Sequence, residues 1–250
     1  MIIHKSPEEL DRMRRAGRIV ASTIEKVTSS VRPGITTRDL DAIAEAHIRK
    51  AGATPSFKGY RGFPASICSS LNEEVVHGIP GDRKLLEGDV LSLDFGAICD
   101  GYHADAAVTM FVGEPPSNEA EKLVRVTEEA LEAGISQVRP GGHLSDISHA
   151  VEQVVTGAGF AVVREYVGHG IGRDLHEDPQ IPNYGPPGRG PVLKPGLVLA
   201  IEPMVNIGDW PTRVLADGWT VVTADGSLSA HFEHTVAVTD DGHEVLTAPH

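Results

Sequence analysis

The chain has 250 residues, 40% hydrophobic and 23% charged, enough to bury a substantial core as one large domain or two small halves. Its 22 lysines and arginines against 35 aspartates and glutamates give a net charge of −13, which excludes a global attraction to nucleic acid or an anionic membrane. No stretch approaches the roughly 20 apolar residues of a membrane span or a signal-peptide core, so a cytoplasmic protein is expected, without DNA or membrane partners.

In chain order, Leu10 to Ser29 carries a helical pattern. Its basic residues Arg12, Arg14, Arg15 and Arg18 read as a solvated face, with ribosomal RNA as the alternative contact. A VRPG turn at 31–34 opens a second helix, capped at Thr36 or Thr37 and stopped by Gly52. The run LLEGDVLSLDFG then gives a turn and a strand bearing Asp94, and Asp105 follows eleven residues later. After a further helical pattern from Asn118 to Gln137, the order returns. VRPG recurs at 138–141, an offset of 107 residues, with Ser145 as the expected cap and Gly157 or Gly159 as the stop. VLKPGLVLAIEP then places Glu202 at an offset of 108 from Asp94. Helix, turn, strand and acid recurring in order imply an α+β fold. One domain over residues 1–250 is expected, with pseudo-symmetric halves at about 10–110 and 118–245. Helices should cover one face of a curved, mostly antiparallel sheet, with a polar pocket where the halves meet.

Asp94, Asp105, Glu202 and Glu233 all lie in apolar, β-prone surroundings. Singly, each would more often be a turn cap. Buried together they would repel one another unless cations bind between them. His169, in the glycine-flanked YVGHGIG, offers a neutral nitrogen ligand from a turn that can approach a metal closely. This donor set suits two divalent ions such as Co, Mn, Fe or Zn, and softness rules do not choose among them. Cys68 and Cys99 lack CxxC spacing and are expected as reduced thiols rather than ligands. His77, His176 and Trp219 read by themselves as structural.

The stretches NEEVVHGIP, LSLDFGAICDGYHADAAVT, YVGHGIGRDLHEDPQIPNYG, VLAIEPM and DGWTVVTADGSLSAHFEHT resemble the type I methionine aminopeptidases in their short bacterial form. That family has the pita-bread (creatinase/aminopeptidase) fold, and the resemblance covers essentially the whole chain. It implies five metal ligands, Asp94, Asp105, His169, Glu202 and Glu233, with Asp105 and Glu233 bridging two ions. It implies that a water between the ions attacks the first peptide carbonyl, with Glu202 as general base. His176 would stabilise the oxyanion and His77 would contact the scissile amide. The methionine pocket would comprise Phe57, Tyr60, Phe63, Cys68, Leu175 and Trp219, where Phe63 and Leu175 replace the Tyr and Phe of many members. Asn72, Glu74 and Ser229 would hold a monovalent cation. The implied substrate is the N-terminus of a nascent polypeptide whose second residue is small, and a monomer is implied, with a ribosome contact left open.

Two other readings are weighed. Proline-specific aminopeptidases of the same fold usually carry a large N-terminal domain before the ligands, and type II enzymes a long insertion, whereas 30 residues separate Glu202 from Glu233 here. Pita-bread binding modules have lost ligands, whereas all five ligand positions and both histidines are present in this sequence.

Overall fold

The computed structural model describes residues 1–249. Helix α1 (Pro7–Thr28) starts earlier than its apolar spacing indicates, because Ser6 and Glu9 cap it reciprocally. The Glu9 N–H donates to the Ser6 hydroxyl at 3.3 Å, and the Ser6 N–H donates to the Glu9 carboxylate at 2.9 Å. Thr36 and Asp39 cap α2 (Thr37–Lys50) in the same way. Ser117 caps α3 (Asn118–Ser136). Helix α4 (Leu144–Gly157) departs from expectation: its N-cap is His143, not Ser145. The His143 N–H donates to the Asp146 carboxylate at 2.9 Å, and the Ser145 hydroxyl turns outward to accept from the Arg189 N–H at 2.8 Å. An acid three residues into the helix satisfies the end that a hydroxyl was expected to satisfy.

The strands are β1 (Thr54–Pro55), β2 (Ile67–Leu71), β3 (Glu74–Val76), β4 (Val90–Cys99), β5 (Tyr102–Phe111), β6 (Ala161–Val162), β7 (Gly168–Gly170) and β8 (Glu177–Ile181). They continue with β9 (Val198–Ile201), β10 (Met204–Asn206), β11 (Thr212–Val214), β12 (Val221–Thr223), β13 (Ser229–His231), β14 (Glu233–Val238) and β15 (His243–Val245). Nine form one antiparallel sheet in the order β1-β4-β5-β14-β9-β7-β8, with β2 beside β4 and β15 beside β14. Two three-stranded sheets, β13-β10-β6 and β11-β12-β3, flank it. Apolar faces of α1 and α2 pack on β2, β4 and β5 through Val20, Leu40, Ile48, Leu93 and Phe95. Leu131, Ile135 and Ile147 of α3 and α4 pack on Leu199, Ile201 and Val236.

Backbone hydrogen bonds around the two VRPG turns match pairwise. Gly34 N–H donates to Leu85 O at 2.8 Å, and Gly141 N–H to Leu193 O at 2.9 Å. Leu85 N–H donates to Ile35 O at 2.9 Å, and Leu193 N–H to Gly142 O at 2.8 Å. The strands that follow differ. β4 runs unbroken into a two-residue turn, Asp100 (φ 50°) and Gly101 (φ 79°), whose left-handed pair suits the twist of a tight hairpin. β9 stops at Glu202 and Pro203. Proline cannot donate to the ladder, and the chain leaves the main sheet to continue as β10 beside β13.

Candidate active site

Strand register explains why the acids meet. Directly paired residues in an antiparallel sheet point to the same face. Cys68 of β2 pairs with Asp94 of β4, Asp94 with Ala107 of β5, and Ala107 with Glu233 of β14. The pairing of His234 with Ile201 then brings Glu202, the next residue along, beside Glu233. A second row runs through Gly96 and Asp105, then Thr235, Ala200 and His169. Thr235 locks this row: its hydroxyl donates to the Asp105 backbone O at 2.7 Å, and the Asp105 N–H donates back to it at 3.0 Å. Gly96, Ala107 and Ala200 keep the face between the acids free of bulk. A Cβ at Gly96 would lie 2.7 Å from the Phe57 ring, so the missing side chain is what lets that ring lie on the sheet.

Asp94, Asp105, His169, Glu202 and Glu233 thus line one cavity. Donor atoms of Asp105, His169 and Glu233 lie within 4.8 Å of one another. His169 Nε2 is 3.4 Å from Glu202 Oε1 and 3.7 Å from Asp105 Oδ2. Its Nδ1 sits 2.9 Å from the Gly170 carbonyl, an oxygen that can only accept, so Nδ1 carries a proton and Nε2 is the ring nitrogen turned toward the carboxylates. Burial and the neighbouring acids push the Asp94, Glu202 and Glu233 carboxyls well above the usual range. Burial also raises Asp105, against the opposing pull of His169 and Thr235. Asp94 Oδ1 is buried without a hydrogen-bond partner. Lone pairs facing lone pairs, with an orphaned carboxylate oxygen beside them, are what divalent cations resolve. The donor set fits them.

The two histidines frame this cluster. The His176 ring lies 4.2 Å from that of His169 and stacks on Tyr60 at 5.3 Å, with the Tyr60 hydroxyl 2.8 Å from Nδ1. His77 adopts a left-handed φ of 61°, rare for a residue with a side chain. The following Gly78 has no room for a Cβ, which would sit 2.1 Å from the Ser69 carbonyl oxygen. Burial lowers the His77 imidazole to about 4, so it stands neutral at pH 7. Its ring meets Tyr166 edge-on at 5.8 Å and Trp219 at 6.4 Å.

Phe57, Tyr60, Phe63, Cys68, Leu175 and Trp219 line the same cavity, with Trp219 edge-on to Phe63 at 5.1 Å. Burial and nearby carboxylates raise the Cys68 thiol far above its usual range, so it is a neutral soft wall. Asn72 and Glu74 lie elsewhere, at the β2–β3 turn, and Ser229, at the start of β13, donates its N–H to Asn72 O at 2.9 Å. Their side chains are engaged: Asn72 with Asp89 and Val90, Glu74 with Leu71 and Arg83, Ser229 with the Val205 carbonyl. On α1, Arg14 pairs with Glu244 and Asp11, Arg15 pairs with Asp100, and Arg12 lies over the Tyr102 ring. Sequence reasoning missed Arg61, which lines the cavity, Tyr166, Gly96 and Thr235. Thr235 and Gly96 left a signal, the alternation that puts them on the faces of Glu233 and Asp94.

The model of metallopeptidase family M24 matches residues 11–240. The chain is 59% identical to methionine aminopeptidase 1 of Bacillus subtilis, over 99% of both chains. It is 46% identical to the methionine aminopeptidase of Escherichia coli K12, over 97% of this chain and 92% of that one. Among solved structures, the methionine aminopeptidase of Thermotoga maritima superposes with a TM-score of 0.97 at 50% identity, covering 99% of each chain. The prolidase of Pyrococcus furiosus, at 22% identity and a TM-score of 0.80, shares the fold, and the match spans 66% of its length.

Proposed function

The chain belongs to metallopeptidase family M24 and is a hydrolase of the methionine aminopeptidase type, and on that premise we propose how its residues divide the work. The substrate is the N-terminus of a nascent polypeptide, from which the initiator methionine is removed when the second residue is small. Residues 1–250 act as one catalytic unit, a cytoplasmic monomer. Asp94, Asp105, His169, Glu202 and Glu233 would hold two divalent ions, Co, Mn, Fe or Zn. Such ions, when bound, polarise the scissile carbonyl and make a water nucleophilic near neutral pH.

Glu202 accepts the proton of the attacking water and passes it to the leaving amine. With the Tyr60 hydroxyl donating a hydrogen bond to His176 Nδ1, the opposite nitrogen, Nε2, would carry the ring proton and donate to the developing oxyanion. Neutral His77 contacts the scissile amide and assists the leaving group. Phe57, Tyr60, Phe63, Cys68, Leu175 and Trp219 take the methionine side chain. A monovalent cation at Asn72, Glu74 and Ser229 would draw on backbone oxygens, because the side chains there are committed to other bonds.

The observation that carries this reading is the convergence of Asp94, Asp105, His169, Glu202 and Glu233 on one cavity, where donor atoms of Asp105, His169 and Glu233 lie within 4.8 Å of one another. The test is hydrolysis of a Met-Ala-Ser peptide by protein treated with a chelator, then supplied with Mn, Co or Fe. Activity should vanish and return with metal. Activity indifferent to the chelator would overturn the metal assignment, and inactivity with every metal would favour a binding module.

A further inference from the structure

The turn from Gly172 to Glu177 carries both Leu175 of the cavity wall and His176, yet it contains exposed Arg173 and Asp174 and lies outside the regular sheet until Glu177. Something must fix it. The Glu177 carboxylate folds back over the turn, and Oε1 accepts from the Arg173 N–H at 2.9 Å and the Asp174 N–H at 3.4 Å. Its other oxygen accepts from Lys5 Nζ at 2.6 Å, in an ion pair whose side chains are only 2% and 5% exposed. Lys5 is 172 residues away in the chain, in the segment before α1. Its backbone N–H donates to Gly196 O at 2.7 Å, which ties that segment to the loop entering β9.

The neighbouring glycines are shaped to this lysine. A Cβ at Gly172 would lie 2.5 Å from Glu177 Oε1 and 2.5 Å from Lys5 Cε, and one at Gly196 would lie 2.6 Å from Lys5 O. The Gly172 carbonyl accepts from the His103 N–H at 2.8 Å, so one end of the turn is fastened to β5 and the other to Lys5. A buried ammonium is retained only where its geometry is fully satisfied, and removing it would leave the Glu177 carboxylate buried and uncompensated.

We propose that Lys5 is a positioning residue for the peptidase reaction: through its buried ion pair with Glu177 it fixes the turn that aims His176 into the active site. This rests on the oxyanion role assigned above to His176. Small misplacements of a catalytic group cost large factors in rate, so Lys5→Met should lower kcat by about tenfold or more while metal content is unchanged. Lys5→Met/Glu177→Gln should recover most of that loss, since an uncharged Gln oxygen can still accept from the Arg173 and Asp174 N–H groups.

The deciding measurement is a double-mutant cycle on kcat for Met-Ala-Ser with metal-loaded protein. In a His176→Ala background, Lys5→Met should cause no further fall, because the group it aims is gone. If Lys5→Met lowers kcat by the same factor with and without His176, or leaves kcat at the wild-type value while lowering only Tm, the proposal is overturned. Should Lys5→Met not fold, Glu177→Gln is carried through the same cycle: a fall in kcat that disappears in the His176→Ala background supports the proposal, and one that persists there overturns it. A His176→Ala protein with wild-type kcat would remove the role of His176 and the proposal with it. A slow His176→Ala protein on which the Lys5 effect is additive would remove only the proposal.

Discussion

The two stretches that place the acids start alike and end differently. In each, a VRPG turn and its helix are laced to the following loop by matching backbone hydrogen bonds, and a strand then presents an acid to the cavity. Ten residues join Asp94 to Asp105 through an Asp-Gly turn, and every residue from Val90 to Phe111 except those two lies in the hairpin. Thirty residues join Glu202 to Glu233. They leave the main sheet at Pro203, form the β11–β12 hairpin, place Trp219 against Phe63 and His77, and return through β13. The short connection is a closed hairpin whose Gly96 makes room for Phe57. The long one adds a wall to the same cavity without disturbing the rows of the sheet.

Four experiments break or sharpen that contrast. Glu202→Gln should lower kcat by about 10³, within the range for loss of a general base, while metal content measured on the purified protein stays near that of the wild type. Parallel loss of metal and turnover would make Glu202 chiefly a ligand. His176→Ala should lower kcat by about 10², the scale of one oxyanion donor. A variant with unchanged kcat and only a raised KM would assign His176 to substrate binding instead. Trp219→Ala, in the long connection, should raise KM for methionyl peptides by about tenfold, the scale of a side chain lost from an apolar pocket, with Tm nearly constant; a large fall in Tm would make that connection a scaffold too. Gly101→Val, in the short connection, forces a β-branched residue into a left-handed conformation. It should destabilise by about 1–2 kcal/mol, read as a Tm lowered by several degrees with KM unchanged.

Much of the candidate site's composition is legible in the sequence alone. Acids embedded in β-prone runs stand out because burying them is costly, and His169 stands out for its glycines. Helix ends are legible to within a few residues where a hydroxyl caps them, as at Thr36, and misplaced at Ser145, where the carboxylate of Asp146 satisfies the helix end instead. What could not be read depends on cross-strand register. That Cys68, Asp94, Ala107 and Glu233 form one row, and that Gly96 makes space for Phe57, follows from pairings between strands far apart in sequence. The bond between Lys5 and Glu177 left no local trace for the same reason. Periodicity reports which residues share a face of one element, not which elements lie side by side.

Where the long connection leaves and re-enters, Val205 pairs with Ala230, Asn206 with Ser229, and Ile207 N–H donates to Leu228 O at 3.0 Å. That clasp closes off the segment beyond it, which touches the rest of the molecule where β12 pairs with β3 and where Trp219 meets Phe63 and His77. Lengthening the chain at the exposed turn 216–218, between β11 and β12, would incur little more than loop-closure entropy, about 0.6 kcal/mol for each doubling. That turn is therefore a port at which new recognition elements can be spliced in beside the cavity without entering the rows of the main sheet.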